Sequence, residues 1–161
     1  MKAKALKTLS AAVVDSSAIM SIFEKRFSGP AFIQGLEKAR RLHMSAATLM
    51  ELSVVFIGKK SEAGTHPLDD LLAEFKIEIV PFDRPMVFLG RHGCANYGKG
   101  HNPADLNTGD LFSYALARSM ELPLFFEGLD FSKTDIQDAM SMLGYAFDAK
   151  HSPYVPLIPS M

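Results

Sequence analysis

The stretch AAVVDSSAIMSIF, residues 11–23, changes its periodicity once, at Asp15. Before that residue, Ala11 to Val14 form an unbroken apolar run of the kind found in a strand buried on both faces. After it, Ser16 or Ser17 can cap a helix that the apolar spacing carries to about Phe27. An acid between a buried strand and the helix that follows lies at the strand's carboxyl end. Open α/β sheets place their sites there.

Outward from this stretch the same alternation repeats. Ser28-Gly29-Pro30 breaks the first helix, and Pro30 suits the first turn of a second that runs to about Arg40. Leu42 to Ala46 reads as a strand, Thr48 to Ile57 as a helix and Gly58 to Thr65 as a polar loop. Pro67 opens a helix to about Phe75, with Asp69 and Asp70 in its first turn. Ile77 to Val80 is a third strand, and Asp83 can cap a helix from Arg84 to Tyr97. A loop from Gly98 to Leu106 precedes the helix Thr108 to Met120, and Pro123 to Phe126 is a fourth strand. Beyond Asp135, DAMSMLGYAF (138–147) fits helix, strand or both, and the tail from Ser152, with Pro153, Pro156 and Pro159, reads as extended. Strands alternating with helices predict one α/β domain with a mostly parallel sheet covered on both faces.

Composition narrows the function. The chain has 161 residues with 17 basic and 18 acidic side chains, a net charge of −1, which excludes a strongly basic nucleic-acid-binding domain. No apolar run approaches the roughly 18 residues that cross a bilayer. A single cysteine, Cys94, fits a reducing compartment and reads as a packing residue. The basic start MKAKALKTLSAAVV (1–14) lacks the apolar stretch and cleavage site of a signal peptide.

Four acids share strand-to-helix junctions or first helical turns: Asp15, Glu51, Asp110 and Asp130. Asp15, Asp110 and Asp130 taken singly fit helix caps equally well, a role worth about 1 kcal/mol. Glu51 stands among Ala46, Ala47, Leu49, Met50, Leu52, Val54 and Val55. That segment reads as buried, and a lone carboxylate there requires protonation, a partner or a cation. Together the four predict a divalent metal site with hard oxygen ligands, suited to phosphodiester hydrolysis. Such a cation bridges an acidic pocket to an anionic substrate, which answers the lack of net positive charge. The five histidines show no zinc spacing and read as surface or loop residues. There is no G-x-S-x-G elbow, Walker loop or G-x-G-x-x-G fingerprint. A phosphatase of the haloacid dehalogenase type, the rival enzyme, needs an acid two residues after the first aspartate, where Ser17 stands. A non-catalytic module holding a cation or a basic partner segment is the other alternative.

At VVDSSAIMSIF (13–23), SAATLMELSVV (45–55) and YGKGHNPADLNTGDLFSYALARSMELPLFFEGLDFSKTDI (97–136), the sequence resembles PIN-domain proteins, specifically VapC-type toxin ribonucleases of toxin–antitoxin pairs. The resemblance implies a three-layer PIN-like α/β/α fold in a single domain over 1–161, with a core at about 11–136. It leaves 137–161 as an unassigned extension. It implies a cytoplasmic Mg²⁺- or Mn²⁺-dependent endoribonuclease whose quartet is Asp15, Glu51, Asp110 and Asp130, with products ending in 5′-phosphate and 3′-hydroxyl. Asp135 matches a following acid expected to organise the site from outside. Asn107, Ser17 and Ser113 match small polar positions that orient ligands or contact phosphate. The implied partners are RNA, a cognate antitoxin entering the active-site groove and a second copy in a homodimer, with no membrane. Leu129 departs from the pattern where many relatives carry Asn or Asp, which implies weaker binding of a second cation.

Overall fold

A computed structural model describes residues 7–59, 66–100, 102–148 and 152–156. Four short strands, β1 (Ala12–Val14), β2 (Leu42–Ser45), β3 (Ile77–Val80) and β4 (Leu124–Phe125), form one sheet in the order β3-β2-β1-β4. All three pairings are parallel, with Val13 opposite His43 and Leu124. β1 is central and buried at every position, which is why its sequence is apolar throughout.

Successive side chains of a strand point to opposite faces, and here they feed two cores. Ala12, Val14, Leu42 and Met44 join one core with α1 (Ser16–Phe23), α2 (Gly29–Glu37), α3 (Ala46–Gly58) and α4 (His66–Glu74). Val13 and Leu124 join the other, with α5 (Arg84–Tyr97) and α6 (Thr108–Met120). The result is the three-layer α/β/α arrangement.

The segment after Ile136 uses both structures that its sequence allowed. A short α7 (Ala139–Met142) leads into an antiparallel hairpin of β5 (Tyr145–Asp148) and β6 (Ser152–Pro156). Both pack on the first core through Met140, Leu143, Tyr145 and Tyr154. Met140 lies over Gly35 of α2, where an added Cβ would meet its sulfur at 2.7 Å. No helix among the described residues is long and apolar enough to cross a membrane.

Four local expectations need correcting. α1 stops at Phe23, four residues short of Phe27, because the chain turns through Lys25 at φ 52°. Its cap is Asp15 and neither serine. α3 buries only Thr48, Leu52 and Phe56 along one line, while Met50, Val54 and Ile57 are 63%, 56% and 62% exposed. An apolar sequence was therefore no guide to burial there. Cys94 is exposed because α5 turns Gly90 and Gly93 towards α6.

His43 is no surface histidine. It is 2% exposed in β2, and its Nδ1 has no hydrogen-bond partner among the described residues. Burial pushes the imidazole pKa below its ordinary 6.5; the carboxylate of Glu78, 3.5 Å away, pulls the other way and loses. A base depressed in the folded state contributes stability above the unfolded pKa, and that stability is lost as pH falls below it. The urea midpoint should therefore fall from pH 7.5 to pH 5.5 less steeply in His43→Leu than in wild type. Parallel curves would exclude His43 as the responsible group.

Candidate active site

Asp15 leaves β1 at the carboxyl edge of the sheet, where its N–H donates to Phe125 O at 2.9 Å. Its side chain is buried, and both of its oxygens accept hydrogen bonds. Oδ2 accepts from the Ser17 N–H at 3.0 Å and the Ser17 hydroxyl at 2.6 Å, and Oδ1 accepts from the Ser113 hydroxyl at 2.6 Å. Ser17 Oγ in turn accepts the Glu127 N–H at 3.0 Å, and Ser113 Oγ lies 3.4 Å from Thr48 Oγ1. The aspartate is thus fixed by α1, α6 and the segment after β4 at once.

Asp110 is fixed differently. Asn107 caps α6 by accepting the Asp110 N–H at 3.0 Å, while Asp110 Oδ2 accepts the Asn107 N–H at 2.9 Å. This reciprocal box satisfies two backbone donors and sets the carboxylate over the first turn of the helix. Burial pushes the Asp110 carboxyl up to about 7 against the opposing hydrogen bond from Asn107, and the charges of Asp15, Asp130 and Glu51 add to the rise.

Glu51 is exposed overall, contrary to its buried expectation, but its carboxylate leans into this acidic group. Partial enclosure, then the charge of Asp15, raises its pKa. Its seat is made by Gly109. Any Cβ at that position would fall among the Glu51 carboxylate atoms, with Oε2 at 2.7 Å and Cδ at 2.8 Å. Asp130 starts the 3-10 turn Phe131–Lys133 after Gly128 turns the chain at φ 102°.

Asp110 therefore feels all three other predicted carboxylates. Asp135 stands apart from them: it pairs with Arg118 at 3.3 Å and lines a pocket of about 260 Å³ at the other end of α6. Sequence reasoning assigned no role to Gly109, although the N-x-G-D spacing contains it. Glu127 was also missed. Its carboxylate takes bonds from Arg26 at 2.5 Å and from Ser28, which ties the loop carrying Asp130 to the α1–α2 turn.

Among the described residues no three His, Cys, Asp or Glu side chains make a finished metal cage. The donor set nevertheless fits a hard divalent cation. No lysine or arginine among the described residues pairs with any of the four carboxylates, and Gly109 keeps a place for the carboxylate of Glu51. Magnesium characteristically binds such open sites, through one or two carboxylates and several waters.

The PIN domain family model matches residues 12–137. Ribonuclease VapC28 of Mycobacterium tuberculosis is 33% identical over 129 residues, which span 80% of this chain and 97% of that protein. Among solved structures, M. tuberculosis VapC20, a Sarcin-Ricin loop cleaving toxin, superposes with a TM-score of 0.63 at 12% identity. That match covers 78% of this chain and 95% of VapC20. VapBC2 from Rickettsia felis, bound to a promoter DNA fragment, gives a TM-score of 0.61 at 15% identity, with coverage of 80% and 96%.

Proposed function

The chain belongs to the PIN-domain family, and from that membership we propose that it is a metal-dependent endoribonuclease, the toxin of a toxin–antitoxin pair acting in the cytoplasm. The observation that carries the chemistry is the Asp110 carboxyl, held near pKa 7 by burial and three neighbouring carboxylates with no basic partner among the described residues. Relatives named as ribonucleases support RNA as the substrate, and VapBC complexes among the fold neighbours support a protein antitoxin. The exposed apolar line of Met50, Val54 and Ile57 on α3 suits a protein surface, either antitoxin or a second copy.

Asp15 and Asp110 would hold Mg²⁺ or Mn²⁺, with Glu51 and Asp130 completing the site. When bound, the cation activates the attacking water and neutralises charge on the phosphate. The chain's own contribution is placement. Ser17 and Ser113 fix both oxygens of Asp15, and the Asn107 box fixes Asp110, so these two carboxylates are oriented before substrate arrives. In this reading Glu51, with its raised pKa, would accept the proton released by the attacking water.

Incubation of purified protein with total RNA in Mg²⁺, Mn²⁺ or EDTA tests this reading. Discrete metal-dependent fragments with 5′-phosphate ends, absent in Asp15→Asn/Asp110→Asn, are expected. No cleavage and no calorimetric metal binding would overturn it. Ser113→Ala frees one oxygen of Asp15 and should lower the cleavage rate about 10–100-fold, with saturation at higher metal concentration. An unchanged metal dependence would remove Ser113 from the site's support.

A further inference from the structure

The side of α5 turned away from α6 carries Arg84, Phe88 and Arg91, spaced i, i+4 and i+7. Phe88 is 54% exposed and stands between the two guanidinium groups, which lie 5.8 Å and 5.6 Å from its ring centroid. Neither arginine pairs with a carboxylate among the described residues. The sequence from Arg84 to His101 contains no Asp or Glu and adds His92 and Lys99, a one-sign segment in a chain of net charge −1.

The helix that carries this face packs on α6, which carries Asp110. The opposite side of α5 presses on α6 through Gly93, where an added Cβ would meet the Tyr114 ring at 2.6 Å. Gly90 lies against Leu111 and Ala115. Phe82, two residues before Arg84, meets Phe112, two residues after Asp110, edge to face at 5.2 Å.

We propose that the Arg84–Phe88–Arg91 face of α5 is the track for single-stranded RNA flanking the cleaved bond. The guanidiniums take phosphates, and the Phe88 ring takes a base. The inference rests on the ribonuclease reading above and supplies what that reading lacks, since four carboxylates alone repel a polyanion. Grooves for single strands combine backbone cations with aromatic platforms, and arginine stays charged while lying against a ring. A two-fold contact through this face would set the arginines of one copy against those of the other. The apolar line on α3 bears no such charge.

The test measures binding of a fluorescent, mixed-sequence single-stranded oligoribonucleotide to the full chain in EDTA, together with cleavage of total RNA in Mg²⁺. Arg84→Gln/Arg91→Gln should bind roughly ten-fold more weakly, with a log–log salt slope shallower by about 1.4 for two lost phosphate contacts. Phe88→Ala should lose roughly five-fold or more in affinity, and Phe88→Trp should restore it. Arg40→Gln, just before the amino end of β2, should bind as wild type.

A wild-type protein that binds RNA alongside an arginine double variant of equal affinity and slope overturns the track alone. A wild-type protein that neither binds nor cuts RNA overturns the ribonuclease reading and the track with it. Variants that change only the molar mass by light scattering, or only the inhibition by antitoxin, assign this face to a protein and overturn the proposal.

Discussion

Asp110→Asn should be harder to unfold than wild type in metal-free buffer and nearly unable to cut RNA. The Asp110 carboxyl has a pKa of about 7 in the folded chain against an ordinary 3.8. An acid raised on folding destabilises the native state as pH climbs from its unfolded value, and the penalty is complete above its folded value. The variant removes that penalty, while its amide oxygen can still accept the Asn107 N–H. Discounted for partial exposure, the gain is about 1–2 kcal/mol, or several degrees in Tm for a domain of this size. The difference should be widest above pH 7 and close towards pH 4. Divalent cation should stabilise wild type and leave the variant almost unmoved. Cleavage should drop by about 10²–10³-fold or more, the scale for losing one preorganised electrostatic group. Thermal melts in EDTA across pH decide the first half and RNA cleavage the second. A variant less stable than wild type at pH 8 sinks the account of Asp110, and one with full activity removes Asp110 from the chemistry.

Gly109→Ala should separate folding from function in the opposite way. The added methyl falls where the Glu51 carboxylate now lies. That carboxylate ends a flexible side chain on an exposed stretch of α3, so it should swing outwards while the helices stay in place. We expect stability within about 1 kcal/mol of wild type, since alanine in a first helical turn also reduces unfolded-chain entropy. Cleavage should fall about 10–100-fold, as when a supporting group is lost. Combining Gly109→Ala with Glu51→Gln should cost little beyond the worse single change, because both act on one carboxylate. Additive losses would show that Gly109 acts through something other than Glu51.

The legible parts of the molecule are those governed by local chemistry. Asp83 caps α5 as its position predicted, accepting from the Met86 N–H at 3.1 Å, and Pro30 enters the first turn of α2. The apolar runs became parallel strands because burial on both faces demands them. What stayed hidden depended on partners distant in sequence. Whether the apolar residues of α3 face inwards is decided by the neighbouring helices, so Glu51 was placed in a buried segment while its helix shows Met50 and Val54 to solvent. His43 read as a surface or loop residue although it lies in a strand the sequence announces, because its burial comes from neighbouring strands and helices distant in the chain. Gly109 owes its role to the Glu51 carboxylate, which is far away in sequence and lies against it only in the fold.

The central place of β1 has a consequence for the order of synthesis. Translation makes this strand first, yet one of its two neighbours, β4, is made more than a hundred residues later, and Asp15 itself hangs from Phe125 O. A nascent chain lacking residues 124–130 has neither that neighbour nor Asp130, and its sheet ends at β1 with an open edge. Long-range parallel pairing of this kind closes late. The growing chain therefore carries an unfinished cleft until β4 has emerged, and the acidic group comes together only once Asp130 has followed it.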